Sequence, residues 1–150
     1  MANKPVQKKN NEIRDLSDPE KARLAGAIWI HGSIDIEHHK PKPRSKEYFY
    51  PRIMLSMQNT LPYHYQEDMQ GEVHPGKKGY FTLEIGTQDL VEKRLREILD
   101  FMSGIEKEQI IIALRVIEIN KSKLSHAEKM QKLNRSTTIG LSFAIALKNG

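Results

Sequence analysis

The stretch Lys21-Ala-Arg-Leu-Ala-Gly-Ala-Ile-Trp-Ile-His-Gly-Ser-Ile-Asp-Ile36 predicts a helix that continues directly into a β-strand. Ser17 is a suitable N-cap before it, and Glu20 stands three residues later as a capping-box partner. The helix should therefore begin near residue 18 and break at Gly32. After the break, polar and apolar residues alternate, which is the period of a strand with one buried face.

The middle of this predicted helix carries no charge from Leu24 to Ile30. Such a helix should be buried on more than one side. Gly26 lowers helix stability by ~1 kcal/mol compared with alanine, and a common reason to tolerate it is the close approach of another backbone. The alternative is an ordinary core helix that tolerates one glycine.

The length and composition favour a single intracellular domain. A chain of 150 residues is long enough for one sizeable core. It contains no cysteine, which excludes disulfides, thiolate nucleophiles and cysteine-based zinc sites. No apolar run follows the lysines near the N-terminus, and no stretch approaches the ~18 apolar residues of a membrane span. We therefore expect a soluble protein of the cytoplasm or an organelle matrix, not secreted and without a membrane partner.

The charge balance favours a polyanionic partner. Lysine and arginine number 24 against 19 aspartate and glutamate residues, which gives a net charge of +5. We predict three parts along the chain: a flexible basic arm over residues 1–16, a folded domain over residues 17–133 and a tail over residues 134–150.

Two β-hairpins are predicted after the first helix. The first joins a strand that begins at Ser33 to a strand from Tyr48 to Gln58, through a basic loop with two prolines. The second lies between Gly71 and Ile85, where glycines and a proline separate two extended runs. Helical periodicity separates the hairpins and follows them. Four antiparallel strands with helices packed on one face form an α+β fold.

The other face of the predicted sheet is polar and flanked by basic loops. A curved sheet of this kind can lie along the major groove of DNA, with basic hairpin tips on phosphates and outward side chains at base edges. Asp35, Glu37 and Glu84 also point outward and would repel phosphates unless they accept hydrogen bonds from cytosine amino groups. An ordinary solvated sheet face is the alternative. The predicted DNA-contacting residues are Lys40, Lys42, Arg44, Lys46, Arg52, Ser56, Gln58, Lys77, Lys78 and Thr82.

Other kinds of site are weakly supported. The six histidines include the adjacent pair His38 and His39, but none forms a helical zinc motif with an acid. Adjacent strand residues point to opposite faces, so this pair could not readily share one metal. The sequence has no phosphate-binding glycine loop and no Gly-x-Ser-x-Gly motif, which disfavours nucleotide-driven and hydrolase chemistry of those types.

The segment Leu24-Ala-Gly-Ala-Ile-Trp-Ile-His-Gly32 resembles the LAGLIDADG motif of homing endonucleases. The matches are Leu24, Ala25, Gly26, Ile28 and Gly32. The element order α-β-β-α-β-β-α also resembles the members of that family with a single motif, as do Gln58 near the end of the second strand, the turn at Gly71 and Lys107-Glu-Gln109 at the start of a late helix. The resemblance covers roughly residues 18–133 and implies a saddle-shaped αββαββα fold.

In single-motif members of that family, two chains pair through their motif helices to form a DNA saddle. The resemblance therefore implies a homodimer on a roughly palindromic site in double-stranded DNA. Ile30 stands where the family usually has a small residue, and Trp29 stands where an acid is common. The residues implied for the dimer interface are Leu24, Ala25, Gly26, Trp29 and Ile30.

His31 stands at the eighth motif position, where family members place an Asp or Glu that holds the divalent cation. Magnesium prefers oxygen ligands, whereas a neutral imidazole suits zinc, copper or nickel. The resemblance implies His31, Gln58 and Lys107 as the catalytic positions, with His31 at the metal-ligand position. Mg²⁺ is the expected cofactor if the protein is active, and no cofactor is expected otherwise.

Three hypotheses follow from the resemblance. A degenerate homing endonuclease would bind duplex DNA and cleave it poorly or not at all. An active endonuclease with an altered metal site would use Gln58 and Lys107 to position water and stabilise charge. The third hypothesis is a maturase-like protein that binds intron RNA, or an unrelated α+β protein.

Overall fold

A computed structural model of the protein describes residues 12–39, 48–59 and 62–135. The first eleven residues, the basic loop that was expected around 40–46 and the tail beyond residue 135 lie outside the described residues. The elements are, in chain order, α1 (Asp18–His31), β1 (Gly32–His39), β2 (Tyr48–Gln58), α2 (Tyr63–Met69), β3 (Glu72–Pro75), β4 (Tyr80–Ile85), α3 (Gln88–Ile98), a 3₁₀ turn (Leu99–Phe101), α4 (Gly104–Lys121) and α5 (126–135). The predicted order α-β-β-α-β-β-α is confirmed.

Helix α1 begins where the sequence predicts. The Ser17 hydroxyl accepts a hydrogen bond from the Glu20 backbone N–H, and the Glu20 carboxylate accepts one of 2.8 Å from the Ser17 backbone N–H. These hydrogen bonds from Ser17, together with the nearby Arg14 guanidinium, lower the pKa of Glu20 to about 2. The helix ends at Gly32, where an added Cβ would lie 2.8 Å from the Met54 carbonyl oxygen. Only glycine fits this junction between α1 and β1.

The four strands form one antiparallel sheet in the order β1-β2-β4-β3. The predicted alternation along β2 is confirmed, because Ile53, Leu55 and Met57 are buried. Gly32 pairs with Leu55 at the start of β1, and Gln58 pairs with Tyr80 further along β2. His39 at the end of β1 and Tyr48 at the start of β2 therefore lie at the end of the sheet opposite the β3–β4 turn.

The helices cover one face of this sheet and enclose the main core. Leu24 from α1, Leu83 from β4, Ile98 from α3 and Ile110 from α4 have no exposed surface. A smaller cluster of Phe49, Val116 and Leu133 attaches α5 to the sheet end that leads into the β1–β2 connection. The predicted α+β class, with helices on one face of four antiparallel strands, is confirmed.

A buried arginine holds the segment before α1 against the domain. Arg94 is fully buried on α3 and donates hydrogen bonds to the Arg14 carbonyl, the Gln70 side-chain oxygen and the Glu97 carboxylate. Leu16 is also buried and packs in the main core. Arg14 and Leu16 therefore hold this segment against the domain, within the residues 1–16 that the sequence predicts as a flexible basic arm. No helix among the described residues has the length and hydrophobicity needed to span a membrane.

Candidate nucleic-acid interface

The sheet face opposite the helices carries polar side chains that are aligned across the strands. Ser56 on β2 pairs with Thr82 on β4, and Arg52 on β2 pairs with Asp35 on β1. Because side chains alternate along a strand, Arg52, Ser56 and Gln58 share this outward face, where every second residue lies roughly 6.7 Å further along the strand. The base-contacting residues predicted from the sequence are therefore brought together on one surface, with Gln58 at its end.

Arg52 is held between two carboxylates instead of standing free. Its Nη1 atom lies 3.0 Å from Glu84 Oε2 on β4 and 3.4 Å from Glu37 Oε2 on β1. The Tyr50 hydroxyl donates a hydrogen bond of 3.1 Å to the same Glu37 oxygen. Burial and this carboxylate raise the pKa of Tyr50, so the phenol stays protonated and donates at neutral pH. These contacts cross three adjacent strands.

Acidic residues outnumber Arg52 at the centre of the outward face. Asp35, Glu37 and Glu84 lie there, and His74 Nε2 on β3 is 3.9 Å from Glu84 Oε1. A polyanion approaching this centre meets negative charge. Any contact with a phosphate is therefore more favourable away from the centre of this face.

Lys77 and Lys78 supply positive charge at the β3–β4 turn. Lys78 and Gly79 have positive φ angles of 54° and 78°, and the Tyr80 N–H donates to the Lys77 carbonyl at 3.0 Å. The Asn59 N–H donates to the Gly79 carbonyl at 2.8 Å, which fixes this turn beside the end of β2. Lys40, Lys42, Arg44 and Lys46, which the sequence predicts as phosphate contacts at the opposite end, lie outside the described residues.

The three predicted catalytic positions come from three different elements: the end of α1, the end of β2 and the start of α4. His31 is the exposed last residue of α1. Gln58 is exposed on β2, beyond Leu55, which pairs with Gly32. Lys107 is exposed in the first turn of α4. Ser103, the N-cap of that helix, lines a groove beside α1. Among the described residues, no hydrogen bond or ion pair joins these three side chains.

The donor set at His31 does not fit Mg²⁺. Magnesium requires oxygen ligands in near-octahedral geometry, whereas His31 offers an imidazole nitrogen. In the part of the chain that the structure describes, no group of three or more His, Asp and Glu side chains could hold a metal ion. His38 belongs to the adjacent histidine pair that the sequence disfavours as a shared metal site. Its ring stacks on the Phe49 ring with centroids 4.2 Å apart.

An apolar groove lies beside the motif helix. It has a volume of about 230 Å³ and is lined by Ala22, Ala25, Gly26, Trp29, Phe101, Met102 and Ser103. Among the described residues, no atom outside the adjacent helix backbone and the two chain neighbours lies within 4 Å of the position that a Cβ on Gly26 would take. Trp29 and Ile30 are 68% and 70% exposed, whereas Leu24 is fully buried in the core of its own chain. Of the residues implied for the dimer interface, Gly26, Trp29 and Ile30 are available to a partner, whereas Leu24 and Ala25 are buried in the core of their own chain.

Sequence reasoning missed the partners that complete these surfaces. Phe101 forms the far side of the groove and is 44% exposed, but it lies outside the motif and has no periodic signal of its own. Glu84 was recognised as outward-facing, but its contact with Arg52 depends on the register between β2 and β4. Neither relationship can be obtained from one sequence without the pairing of the strands and helices.

Solved structures of homing endonucleases have the same fold as this chain. I-CvuI in complex with its target has a TM-score of 0.69 and 14% identity, over 89% of this chain and 84% of that chain. The group I intron-encoded enzyme I-CeuI complexed with DNA has a TM-score of 0.60 and 16% identity, over 77% and 68%. The LAGLIDADG meganuclease I-CpaMI bound to uncleaved DNA has a TM-score of 0.64 and 16% identity, over 75% of this chain and 41% of that chain. No family model and no curated protein sequence matches the chain.

Proposed function

Because the chain has the fold of the LAGLIDADG homing endonucleases, we propose that it binds double-stranded DNA sequence-specifically as a homodimer, and that His31 impairs cleavage. The observation that carries this proposal is the four-stranded antiparallel sheet with helices on one face and an aligned polar surface on the other. A ribbon or sheet of this kind can enter the major groove. I-CvuI and I-CeuI were both crystallised with DNA, which supports duplex DNA as the ligand.

In this proposal, the two ends of the sheet position the duplex and its outward face selects the sequence. Lys77 and Lys78 contact phosphates at the β3–β4 turn, and the basic residues of the loop around 40–46 do so at the other end. Ser56, Gln58 and Thr82 present hydroxyl and amide groups to base edges. This division follows from the charges, because the centre of the face is acidic and the ends are basic.

The homodimer forms through the exposed side of α1. Trp29 and Ile30 are too exposed for large apolar side chains without a partner, and they adjoin the groove beside Gly26 and Phe101. A two-fold interface uses the same patch on both copies, so the exposed Trp29 and Ile30 of each copy can pack into the groove of the other. Residues 24–30 are uncharged, which removes local repulsion between two copies of a basic protein.

Cleavage is impaired because the motif position that should supply an oxygen ligand carries the His31 imidazole. Asp35, four residues later, lies on β1 opposite Arg52 and belongs to the outward face. It does not replace a carboxylate at the end of α1. Binding and cleavage are therefore separable in this protein, and each needs its own test.

The test begins with selection of bound molecules from a library of randomised DNA duplexes. The selected duplex is then incubated with the protein in Mg²⁺ or Mn²⁺, and the strands are separated on a denaturing gel. We expect binding without double-strand breaks for the natural protein, and cleavage for the His31→Asp variant. His126→Asp, which makes the same change at an exposed position of α5, is the matched control and should stay inactive.

Two results would contradict the proposal in different ways. Specific double-strand breaks by the natural protein would establish an active enzyme with an altered metal site. If His31→Asp binds the selected duplex but still does not cleave it, the loss of activity does not come from His31.

A further inference from the structure

The cross-strand contacts of Arg52 define a composite donor and acceptor group at the centre of the outward face. Arg52 Nη1 bridges Glu84 Oε2 at 3.0 Å and Glu37 Oε2 at 3.4 Å. The three side chains are 26%, 27% and 31% exposed, so they are fixed by packing yet reachable from solvent. Because each side chain comes from a different strand, the sheet register determines their relative positions.

This group keeps unused hydrogen-bonding capacity. Among the described residues, Arg52 Nη2 has no hydrogen-bond acceptor, and Glu84 Oε1 has only His74 Nε2 at 3.9 Å, beyond hydrogen-bond distance. Donor and acceptor capacity therefore lie next to each other on one exposed surface. A ligand that satisfies both must offer an acceptor beside a donor.

We infer that Arg52 and Glu84 act as one specificity determinant that selects a G·C base pair, a role that rests on the proposed binding of duplex DNA. In the major groove, guanine presents the acceptors O6 and N7, and cytosine presents the N4 amino donor. Arg52 donates to the guanine edge, and Glu84 accepts from the cytosine amino group. The two bases of one pair thus satisfy the two free positions of the ion pair.

Other base pairs match this arrangement less well. A reversed C·G pair places the amino group against Arg52 and the guanine acceptors against Glu84, so both contacts become repulsive. A T·A pair keeps an acceptor and a donor in the right order, but thymine offers only O4 and adds a methyl group beside it. G·C should therefore be bound best and C·G worst.

The charge of the surface explains why the two residues act together. An isolated Glu84 carboxylate near DNA would be repelled by phosphates, and an isolated Arg52 would bind phosphates and guanine alike. Because Glu37 and Glu84 together offset the Arg52 charge, no net positive charge remains to attract phosphates nonspecifically, and the geometry of the base edge decides. The arrangement lowers affinity for DNA in general and increases discrimination.

The experiment measures equilibrium binding to a set of duplexes in which each position of the selected site is replaced in turn by the other three base pairs. For the natural protein we expect one position per half-site where G·C is preferred over C·G by roughly tenfold or more. In Glu84→Gln and in Arg52→Gln, this preference should fall below about threefold at that position and remain at the others.

Two control variants and one conservative Arg52 variant complete the experiment. Glu72→Gln removes the same charge from the neighbouring position on β3, which pairs with Glu84 but does not contact Arg52, and it should leave the base preferences unchanged. Lys77→Gln should weaken binding to all duplexes equally. The slope of log affinity against log salt concentration should become shallower by the equivalent of about one phosphate contact. Arg52→Lys keeps the charge between the glutamates but loses the planar fork. Because lysine can also donate to guanine, this variant should weaken the guanine preference less than Arg52→Gln does while staying folded.

The possible failures are distinguishable. If the natural protein binds a selected site but Glu84→Gln and both Arg52 variants retain its base preferences, the inference is wrong and the proposed function stands. If the natural protein binds no duplex with sequence preference, the proposed function fails and the inference fails with it.

Discussion

The Arg94 guanidinium, fully buried on α3, donates a hydrogen bond of 2.8 Å to the backbone carbonyl of Arg14. The same guanidinium binds the Gln70 side-chain oxygen at 2.6 Å and the Glu97 carboxylate at 2.7 Å. Gln70 in turn accepts from the Arg14 backbone N–H. The segment before α1 is therefore locked to α2 and α3, and the start of the motif helix has a fixed position.

Replacing Arg94 should lower the stability of the folded protein. Arg94→Met should lower the free energy of unfolding by about 3–5 kcal/mol, because it removes the buried cation that binds the Glu97 carboxylate, the Gln70 side-chain oxygen and the Arg14 carbonyl. Urea denaturation measures this change. Arg96→Met, at an exposed position of the same helix, should change stability by less than about 1 kcal/mol. Equal losses in the two variants would contradict the assigned role of Arg94.

The capping box of α1 should make stability depend on pH in the acid range. The pKa of Glu20 falls from 4.5 in the unfolded chain to about 2 in the folded protein, so folding favours the charged form. This stabilisation is present above pH 4.5 and is lost as the pH falls towards 2. Glu20→Gln should therefore lower the melting temperature at pH 7, and the difference from the natural protein should shrink as the pH falls. Asp18→Asn, at an exposed first-turn position, is the control, and a Glu20→Gln difference that grows on acidification would have the wrong sign.

Two substitutions at Gly26 should affect folding stability and dimerisation differently. Gly26→Ala should stabilise the single chain by about 1 kcal/mol, because the added Cβ meets no described atom within 4 Å outside its own helix and alanine favours the helix. Gly26→Leu should stay folded but weaken self-association by at least about tenfold, because its side chain fills the groove that the partner needs. Analytical ultracentrifugation measures the association. Glu118→Leu adds the same side chain on the exposed side of α4 and should not change it, and an unaffected dimer in Gly26→Leu would exclude this face as the interface.

Lys78 should separate stability from phosphate binding. Its positive φ of 54° costs a non-glycine residue about 1–2 kcal/mol, so Lys78→Gly should not lower and should slightly raise the melting temperature. The same variant should bind DNA more weakly at low salt. The slope of its log affinity against log salt concentration should become shallower by the equivalent of about one phosphate contact. Titrations of DNA binding at several salt concentrations measure this. A loss of both stability and binding would indicate a structural role for the lysine side chain.

Most of the fold was predictable because local signals agreed with one another. Ser17 and Glu20 marked the start of α1, and strict alternation marked β2 from Tyr48 to Gln58. The buried Arg94 also left a signal, since it lies on the same helical face as Leu90, Val91 and Ile98. A charged residue on an apolar stripe indicates a buried ion pair, but the sequence does not say that its partner is a segment eighty residues away.

The site was less predictable because its residues meet across strands and helices. Arg52 was identified as an outward residue, but its pairing with Glu84 depends on how β2 and β4 align. Gly26 was expected to admit another backbone, but within the chain it faces an open groove whose far side comes from Phe101. Period and spacing determine which face a residue occupies, whereas contacts between faces require the complete packing.

The most direct test of the account is equilibrium binding to three ligands at the same salt concentration: the selected duplex, a duplex of scrambled sequence and RNA of the selected sequence. Near physiological salt, we predict a preference of at least about 10³-fold for the selected duplex over both competitors, with two copies of the chain bound per duplex. Equal affinity for the three ligands, or stronger binding to the RNA, would contradict sequence-specific recognition of duplex DNA by this protein.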